Sequence, residues 1–265
     1  MTSYIHGYVP EEQERLLDQA GVLAPLIYPA IDFHGCKHIL EIGSGVGAQT
    51  QVLLSLFRDM KITCVDAVES QIEKAKSNLS GNDSRLSFLV QDARNLDLPR
   101  KFDGAFLCWV LEHIPNPQLV LESLIKSLQP GAKIWITEVF NSSFYFQPAL
   151  SGLTNYYEKY NSFHKSLDGD PDIGAKLGNM LSKAGFKEIT LSHGGFHLSQ
   201  HDPESLNKII KYWKGLMKSG AAAMISSNWI TEEEVNAMEK DLDQIASDEN
   251  AVFYYQFVQA NATVF

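Results

Sequence analysis

The feature that most limits what this chain can fold into is a repeated switch of hydrophobic period between residues 38 and 139. His38–Ile42, Lys61–Asp66, Leu86–Val90, Asp103–Trp109 and Lys133–Val139 are short apolar runs that read as five strands. Helical segments separate them. Residues 47–58 carry Leu53, Leu56 and Phe57 on one side, a second segment carries Ile72, Ala75 and Leu79, and a third carries Leu121, Leu124, Ile125 and Leu128. Strands alternating with helices imply a mostly parallel sheet with helices on both faces. The strands are apolar along nearly their whole length, as strands covered on both sides must be. The chain reads as α/β with a doubly wound sheet.

Both flanks are helical. Leu16, Ala20, Leu23 and Ile27 put one apolar face on a helix over residues 11–28. After Val139 the rhythm changes to a stretch rich in aromatics, from Phe140 through Tyr156, Tyr157 and Tyr160 to Phe163. A helix from about Ile173 then leads into a sixth strand, Phe186–Ser192. Residues 203–247 read as two amphipathic helices, and Ala251–Val258 as a last strand. A helical stretch that long exceeds a plain connection and reads as an insertion that covers something. With 265 residues, length alone allows one domain or two at about 150 residues each. No repeat or low-complexity linker divides the chain. The expected layout is an N-terminal helical cap segment, 1–34, and one domain, 35–265, with helical insertions at about 141–171 and 199–249.

Composition narrows the partners. The 22 basic against 32 acidic residues give a net charge of −10, which argues against a nucleic-acid backbone or an anionic membrane as main partner. No apolar run approaches the ~18–20 residues that span a bilayer, and no secretory leader is visible. Cys36, Cys64 and Cys108 are odd in number and lack metal-type spacing, so a reducing, cytoplasmic setting is expected.

The chemistry starts at Glu41-Ile-Gly43-Ser-Gly45-Val-Gly47, where the first strand meets its helix. Open α/β sheets bind ligands at this edge, and glycines there let the backbone approach a ligand closely. Gly43, Gly45 and Ala48 also satisfy the dinucleotide fingerprint G-x-G-x-x-G/A. Asp66 ends the second strand 19 residues beyond Gly47, where a carboxylate can accept both hydroxyls of a ribose, and Asp92 follows the third strand, placed to accept from an adenine amino group. Glu41 adds an acid beside the loop. A carboxylate so near would repel a pyrophosphate but suit a sulfonium and an ammonium group, so the acidic lining favours a cationic cofactor.

These motifs resemble, in order, those of the class I S-adenosylmethionine-dependent methyltransferases of small-molecule type. Glu41–Gly47 resembles that family's glycine loop, Asp66 with Ala67 its ribose position, and Asp92-Ala93 its adenine position. The fourth-strand segment through Cys108 to His113 and the turn Leu128-Gln-Pro-Gly131 also match. The resemblance covers residues 35–140 closely. It implies a Rossmann-like sheet of seven strands with the last antiparallel, S-adenosyl-L-methionine as cofactor, and methyl transfer to an oxygen, nitrogen or carbon nucleophile of a small-molecule acceptor. Tyr4 to Arg15 resembles a segment that closes over the cofactor in a subset of the family, with Tyr8 and Arg15 near the methionine carboxylate. A solvated arginine on the helix surface is the alternative for Arg15.

For catalysis, His113 and Glu138 are the two candidates for a base, lying just after the fourth strand and at the end of the fifth. The remaining histidines, among them His6 and His164, are scattered without ligand spacing, and no metal site is expected. The aromatics after Val139 either line an acceptor pocket or form ordinary core. Two other functions stay open: an NAD(P)-dependent oxidoreductase using the same glycines, and a non-catalytic adaptor that keeps the fold, with residues 203–247 as a dimer face.

Overall fold

In the computed structural model, which describes residues 4–82 and 84–265, the five expected strands form one continuous parallel array. β1 (His38–Ile42) lies at its centre, between β2 (Lys61–Asp66) and β4 (Phe102–Cys108); β3 (Leu86–Val90) flanks β2, and β5 (Leu128–Val139) flanks β4. Ile39 pairs with Ile62 on one side and with Gly104 on the other, so carboxyl ends of neighbouring strands finish level. Side chains alternate across the sheet. Ile39 and Phe106 enter one core layer, while Leu40, Ile42 and Leu107 enter the layer on the opposite face. Three helices, α2 (Ala48–Leu56), α3 (Glu69–Asn78) and α4 (Pro117–Lys126), supply the crossovers.

The far side of the sheet is antiparallel. β8 (Val252–Thr263) pairs antiparallel with β5 and with β7 (Lys187–Ser199). The sheet holds eight strands rather than seven, because β8 runs past the end of β5. Its pairing with β5 stops at Phe257, and the short β6 (Tyr145–Gln147) takes up Val252 to Tyr254. The same length of β8 draws β7 on to Ser199, beyond the expected end at Ser192.

The helical additions gather over the carboxyl ends. α1 (Pro10–Ile27) is tied to the sheet where Gln259 Nε2 donates to the Ile27 carbonyl (2.9 Å) and to Thr137 Oγ1 (3.1 Å). The aromatic stretch forms α5 (Ser151–Ser166), and α6 (Leu177–Ala184) leads into β7. Residues 203–247 contain three helices rather than two: α7 (Pro203–Ser219), α8 (Ala221–Ser226) and α9 (Glu232–Ser247). Thr231 starts α9 with a capping box, its hydroxyl accepting from Glu234 N while Glu234 Oε2 accepts from Thr231 N at 3.0 Å. The apolar faces, with Leu206, Ile210 and Trp213 on α7 and Val235, Met238 and Leu242 on α9, are buried against α1 and α5 of the same chain. Those residues serve the chain's own core, which removes the motive for the dimer-face reading. Among the described residues, no helix is long and apolar enough to cross a membrane.

Candidate active site

The glycine loop is built by strand-end hydrogen bonds. Gly43 N and Ser44 N donate to the Val65 carbonyl at 2.8 and 3.1 Å, which turns the chain over the end of β2. Gly43 has φ +67°, and a Cβ there would come within 2.5 Å of Val110 Cγ2, so the residue must be glycine for the loop after β4 to close against it. Gly45 N donates to Asp66 Oδ2 and Val68 N to Asp66 Oδ1, both at 2.9 Å. Gly47 N donates to the Ser44 carbonyl at 2.9 Å. The backbone N–H groups of residues 43, 44, 45 and 47 are therefore spent inside the protein. Asp66 keeps one acceptor site free on each oxygen.

A cavity of about 260 Å³ opens above this loop. On the loop side its wall includes Gly43, Gly45, Asp66 and Ala67, then Asp92 and Ala93. Cys108 at the end of β4 lies beneath, buried, and burial pushes its thiol upward. Tyr8 and Arg15, from the N-terminal segment and α1, close the wall across from the loop. Burial raises the Tyr8 hydroxyl, and Asp66 adds to the effect. Burial likewise raises the Asp66 carboxyl, against the pull of its backbone donors.

Two expected residues stand elsewhere. Glu41 is not in the wall: it points from β1 into the core below the loop, where Oε2 accepts from Thr50 Oγ1 at 2.6 Å. Strand alternation explains this, since Glu41 shares the face of Ile39. Burial raises its carboxyl to about 7. Gly47 also lies outside the wall. It begins α2 at φ +80°, where a Cβ would meet Leu79 Cδ1 at 2.6 Å, so its constraint is packing against α3 and the turn beyond.

Ion pairing tempers the charged wall. Arg15 is largely buried rather than solvated; its Nε and Nη2 bind both oxygens of Glu12 at 2.6 Å, and Nη1 donates to Gln19. Burial works to lower its pKa, and the Glu12 bonds outweigh that and raise it. Two of its five N–H groups remain for a carboxylate. Asp92 accepts from Arg94 N at 2.9 Å and from the Arg94 guanidinium at 2.6 to 3.1 Å, which holds its carboxyl below the ordinary range.

Past the loop the cavity changes character. Tyr157 and Tyr160 of α5, Tyr212 and Trp213 of α7, and Phe196 and Phe257 of the antiparallel strands form an aromatic wall. Tyr156 and Phe163, from the same aromatic stretch, are instead core. His113 and Glu112 line the cavity beneath this wall, and His164 of α5 lies behind them, with His164 Nε2 3.1 Å from His113 Nδ1. His6 joins through Tyr160, whose hydroxyl lies 3.2 Å from His6 Nε2. Burial lowers His113 well below the usual imidazole range, aided by His164 and Arg15, and lowers His164 to about 4. Three histidines that look scattered in sequence thus meet at one point. Spacing could not show it, because they come from the N-terminal segment, the turn after β4, and α5.

Glu138 does not reach the cavity. It is fully buried, and its Oε1 accepts from Val110 N at 3.0 Å and Leu111 N at 2.7 Å, which pins the turn carrying His113. Oε1 thus serves as a backbone anchor, while Oε2 is buried without a hydrogen-bond partner and outside the cavity lining. Tyr4 and His6, in the segment expected to close over the cofactor, also line the cavity, as does Tyr212, which sequence reasoning missed.

The methyltransferase domain family model matches residues 40–136. Malonyl-[acyl-carrier protein] O-methyltransferase 1 of Ilyobacter polytropus is 29% identical over 153 residues, 56% of this chain and 56% of that protein. Phosphoethanolamine N-methyltransferase 2 of Caenorhabditis elegans is 27% identical over 198 residues, 71% of this chain and 44% of that protein. The solved structure of phosphoethanolamine N-methyltransferase 2 from Haemonchus contortus with S-adenosyl-L-methionine covers 94% of this chain and 53% of its own, at 17% identity and a TM-score of 0.56. The chain spans about half the length of the curated relatives it matches. Fold and motif order define a Rossmann-like methyltransferase sheet. Over residues 40–136 the chain is similar to the methyltransferase domain family, and its fold is that of the solved methyltransferase structures.

Proposed function

We propose that this protein transfers a methyl group from S-adenosyl-L-methionine to a small-molecule acceptor. The observation that carries the reading is the fate of the loop's hydrogen-bond donors. A dinucleotide pyrophosphate is cradled by free N–H groups at this loop. Here those of residues 43, 44, 45 and 47 are already engaged, and Gly45 N is bound by Asp66 itself. What the loop offers is acceptor capacity: the two free sites of Asp66 suit ribose hydroxyls. Among the described residues, the arginines that line the cavity, Arg15 and Arg94, are each paired with an acid. Such a wall favours a cationic sulfonium over a phosphate and argues against the oxidoreductase alternative.

In this reading Gly43, Gly45, Asp66, Ala67, Ala93 and Cys108 hold the nucleoside. Asp92 takes the adenine amino group once Arg94 turns aside. Tyr8 and the two remaining N–H groups of Arg15 hold the methionine carboxylate. The cofactor supplies an activated methyl, so the chain's task is alignment, worth roughly 7–11 kcal/mol of barrier. The aromatic wall desolvates a flat, apolar acceptor, and His113 meets its nucleophilic atom with a neutral ring able to accept a proton. The relatives' names divide between O- and N-methyl transfer, so acceptor chemistry follows this wall and not the family. Free thiols at Cys36, Cys64 and Cys108 fit a cytoplasmic protein, and the acidic surface fits neither nucleic acid nor membrane as partner.

Calorimetric titration with S-adenosylhomocysteine tests this directly. Saturable binding with a raised melting temperature is expected. Folded protein that ignores S-adenosylhomocysteine, or prefers NADH, overturns it.

A further inference from the structure

Beneath the aromatic wall lies a cluster that methyl transfer by itself does not explain. Glu112, His113 and His164 each present a ligand atom within 4.8 Å of the others. His113 Nδ1 and His164 Nε2 face one another at 3.1 Å, His113 Nε2 lies 3.5 Å from Glu112 Oε1, and His164 Nδ1 lies 3.9 Å from Glu112 Oε2. His164 is 2% exposed, and its Nδ1 has no hydrogen-bond partner. A buried orphan of this kind asks for an explanation.

His6, close by, is a useful contrast. Ser219 Oγ donates to the Leu216 carbonyl at 2.7 Å, so His6 Nδ1 must donate to Ser219 Oγ at 2.6 Å, which leaves His6 Nε2 to accept from Tyr160. Both its nitrogens are satisfied within the protein. In the other pair, His113 Nδ1 and His164 Nε2 share one hydrogen bond at 3.1 Å, while His164 Nδ1 is left without a partner, 3.9 Å from Glu112 Oε2.

We propose that Glu112, His113 and His164 bind a divalent first-row transition-metal ion under the acceptor end of the cavity, with a coordination position open to an acceptor oxygen. At a metal–nitrogen distance of about 2.05 Å, the 3.1 Å separation of the two facing nitrogens subtends about 98° at the ion. That angle lies between octahedral and tetrahedral values. Two histidines and one carboxylate with an open face are a ligand set used by zinc and by non-haem iron. Glu112 and His113 reach the cavity surface while His164 stands behind them, so the open position faces the acceptor. In the loaded protein His113 is a ligand and not a free base. The use of the open position by an acceptor oxygen rests on the methyl-transfer reading; the ion site does not.

Chelator-treated protein titrated with Co²⁺ and then Zn²⁺ gives the test, read by the Co²⁺ d–d absorption and by metal content after dialysis. One equivalent per chain is expected, with Zn²⁺ displacing Co²⁺. Glu112→Gln and His164→Gln should each weaken binding at least tenfold, and His193→Ala, at an exposed position on β7, should not. His113→Gln replaces His164→Gln if the latter fails to fold. Absence of stoichiometric binding by the unsubstituted protein overturns the proposal, as does undiminished binding in the folded ligand variants. S-adenosylhomocysteine titrated in parallel without metal separates the two readings: nucleoside binding without an ion removes only the metal site, and ion binding without nucleoside removes only the methyl-transfer reading.

Discussion

Glu41→Gln tests whether the acid beside the glycine loop serves the fold or the ligand. In the folded protein burial raises this carboxyl to about 7, against 4.5 for the free side chain. The folded state thus holds the proton more tightly than the unfolded state. Its contribution to stability is full below about pH 4.5 and is lost as the pH rises through 7. Between pH 5 and pH 8 that loss is about 2.5 kcal/mol for a single group with these two values. A glutamine cannot titrate, and its carbonyl can still accept from Thr50 Oγ1. Urea unfolding of both proteins at pH 5 and pH 8 should show the variant gaining relative to the parent by roughly 2–3 kcal/mol at the higher pH. Because Glu41 lies outside the cavity wall, S-adenosylhomocysteine affinity should change less than threefold. Parallel stability profiles for the two proteins would refute the burial argument. A tenfold loss of affinity in a variant of normal stability would return Glu41 to the binding site.

Asp66→Ala should weaken S-adenosylhomocysteine at least tenfold by calorimetry, since hydrogen bonds to a charged acceptor contribute about 1.5–3 kcal/mol each; unchanged affinity would remove the carboxylate from the site. Gly43→Ala should destabilise the fold by about 2 kcal/mol or more in urea, because its Cβ meets Val110 at 2.5 Å and the φ of +67° disfavours it. Arg94→Ala should leave S-adenosylhomocysteine binding equal or up to about fivefold tighter, since it frees Asp92 from an exposed ion pair worth at most about 1 kcal/mol. Weaker binding would show that the guanidinium itself contacts the ligand.

The parallel half of the fold is legible in the sequence because each of its elements is local. A strand such as His38–Ile42 shows in its own apolar run, and the Gly43–Gly47 turn fixes where it ends. Asp66 and Asp92 follow from the same logic, as acids at strand ends. Glu41 misleads because nearness in sequence to the loop does not decide which face of β1 a side chain takes; Thr50 and Cys64 decide it. Glu138 misleads in the same way, since only the fold reveals the Val110 and Leu111 amides waiting for it. The histidine cluster is illegible for another reason. His6, His113 and His164 are separated by more than a hundred residues from first to last, and the segment before α1, the turn after β4 and α5 must all be in place before they meet.

The cavity wall divides sharply along the chain. Its floor on the glycine-loop side comes from residues 42–114, and its aromatic side comes from the N-terminal segment and from residues 139 onward. In the methyl-transfer reading, the side chains that hold the methyl donor lie before residue 114, and those that choose the acceptor lie mostly after residue 139, with His113 the exception. Exchanging side chains on α5 and α7 can redirect such a protein to another molecule while the loop, Asp66 and Asp92 stay untouched. A recombination breakpoint near the end of β5 would pass on the donor half intact and leave the choice of acceptor to whatever sequence follows.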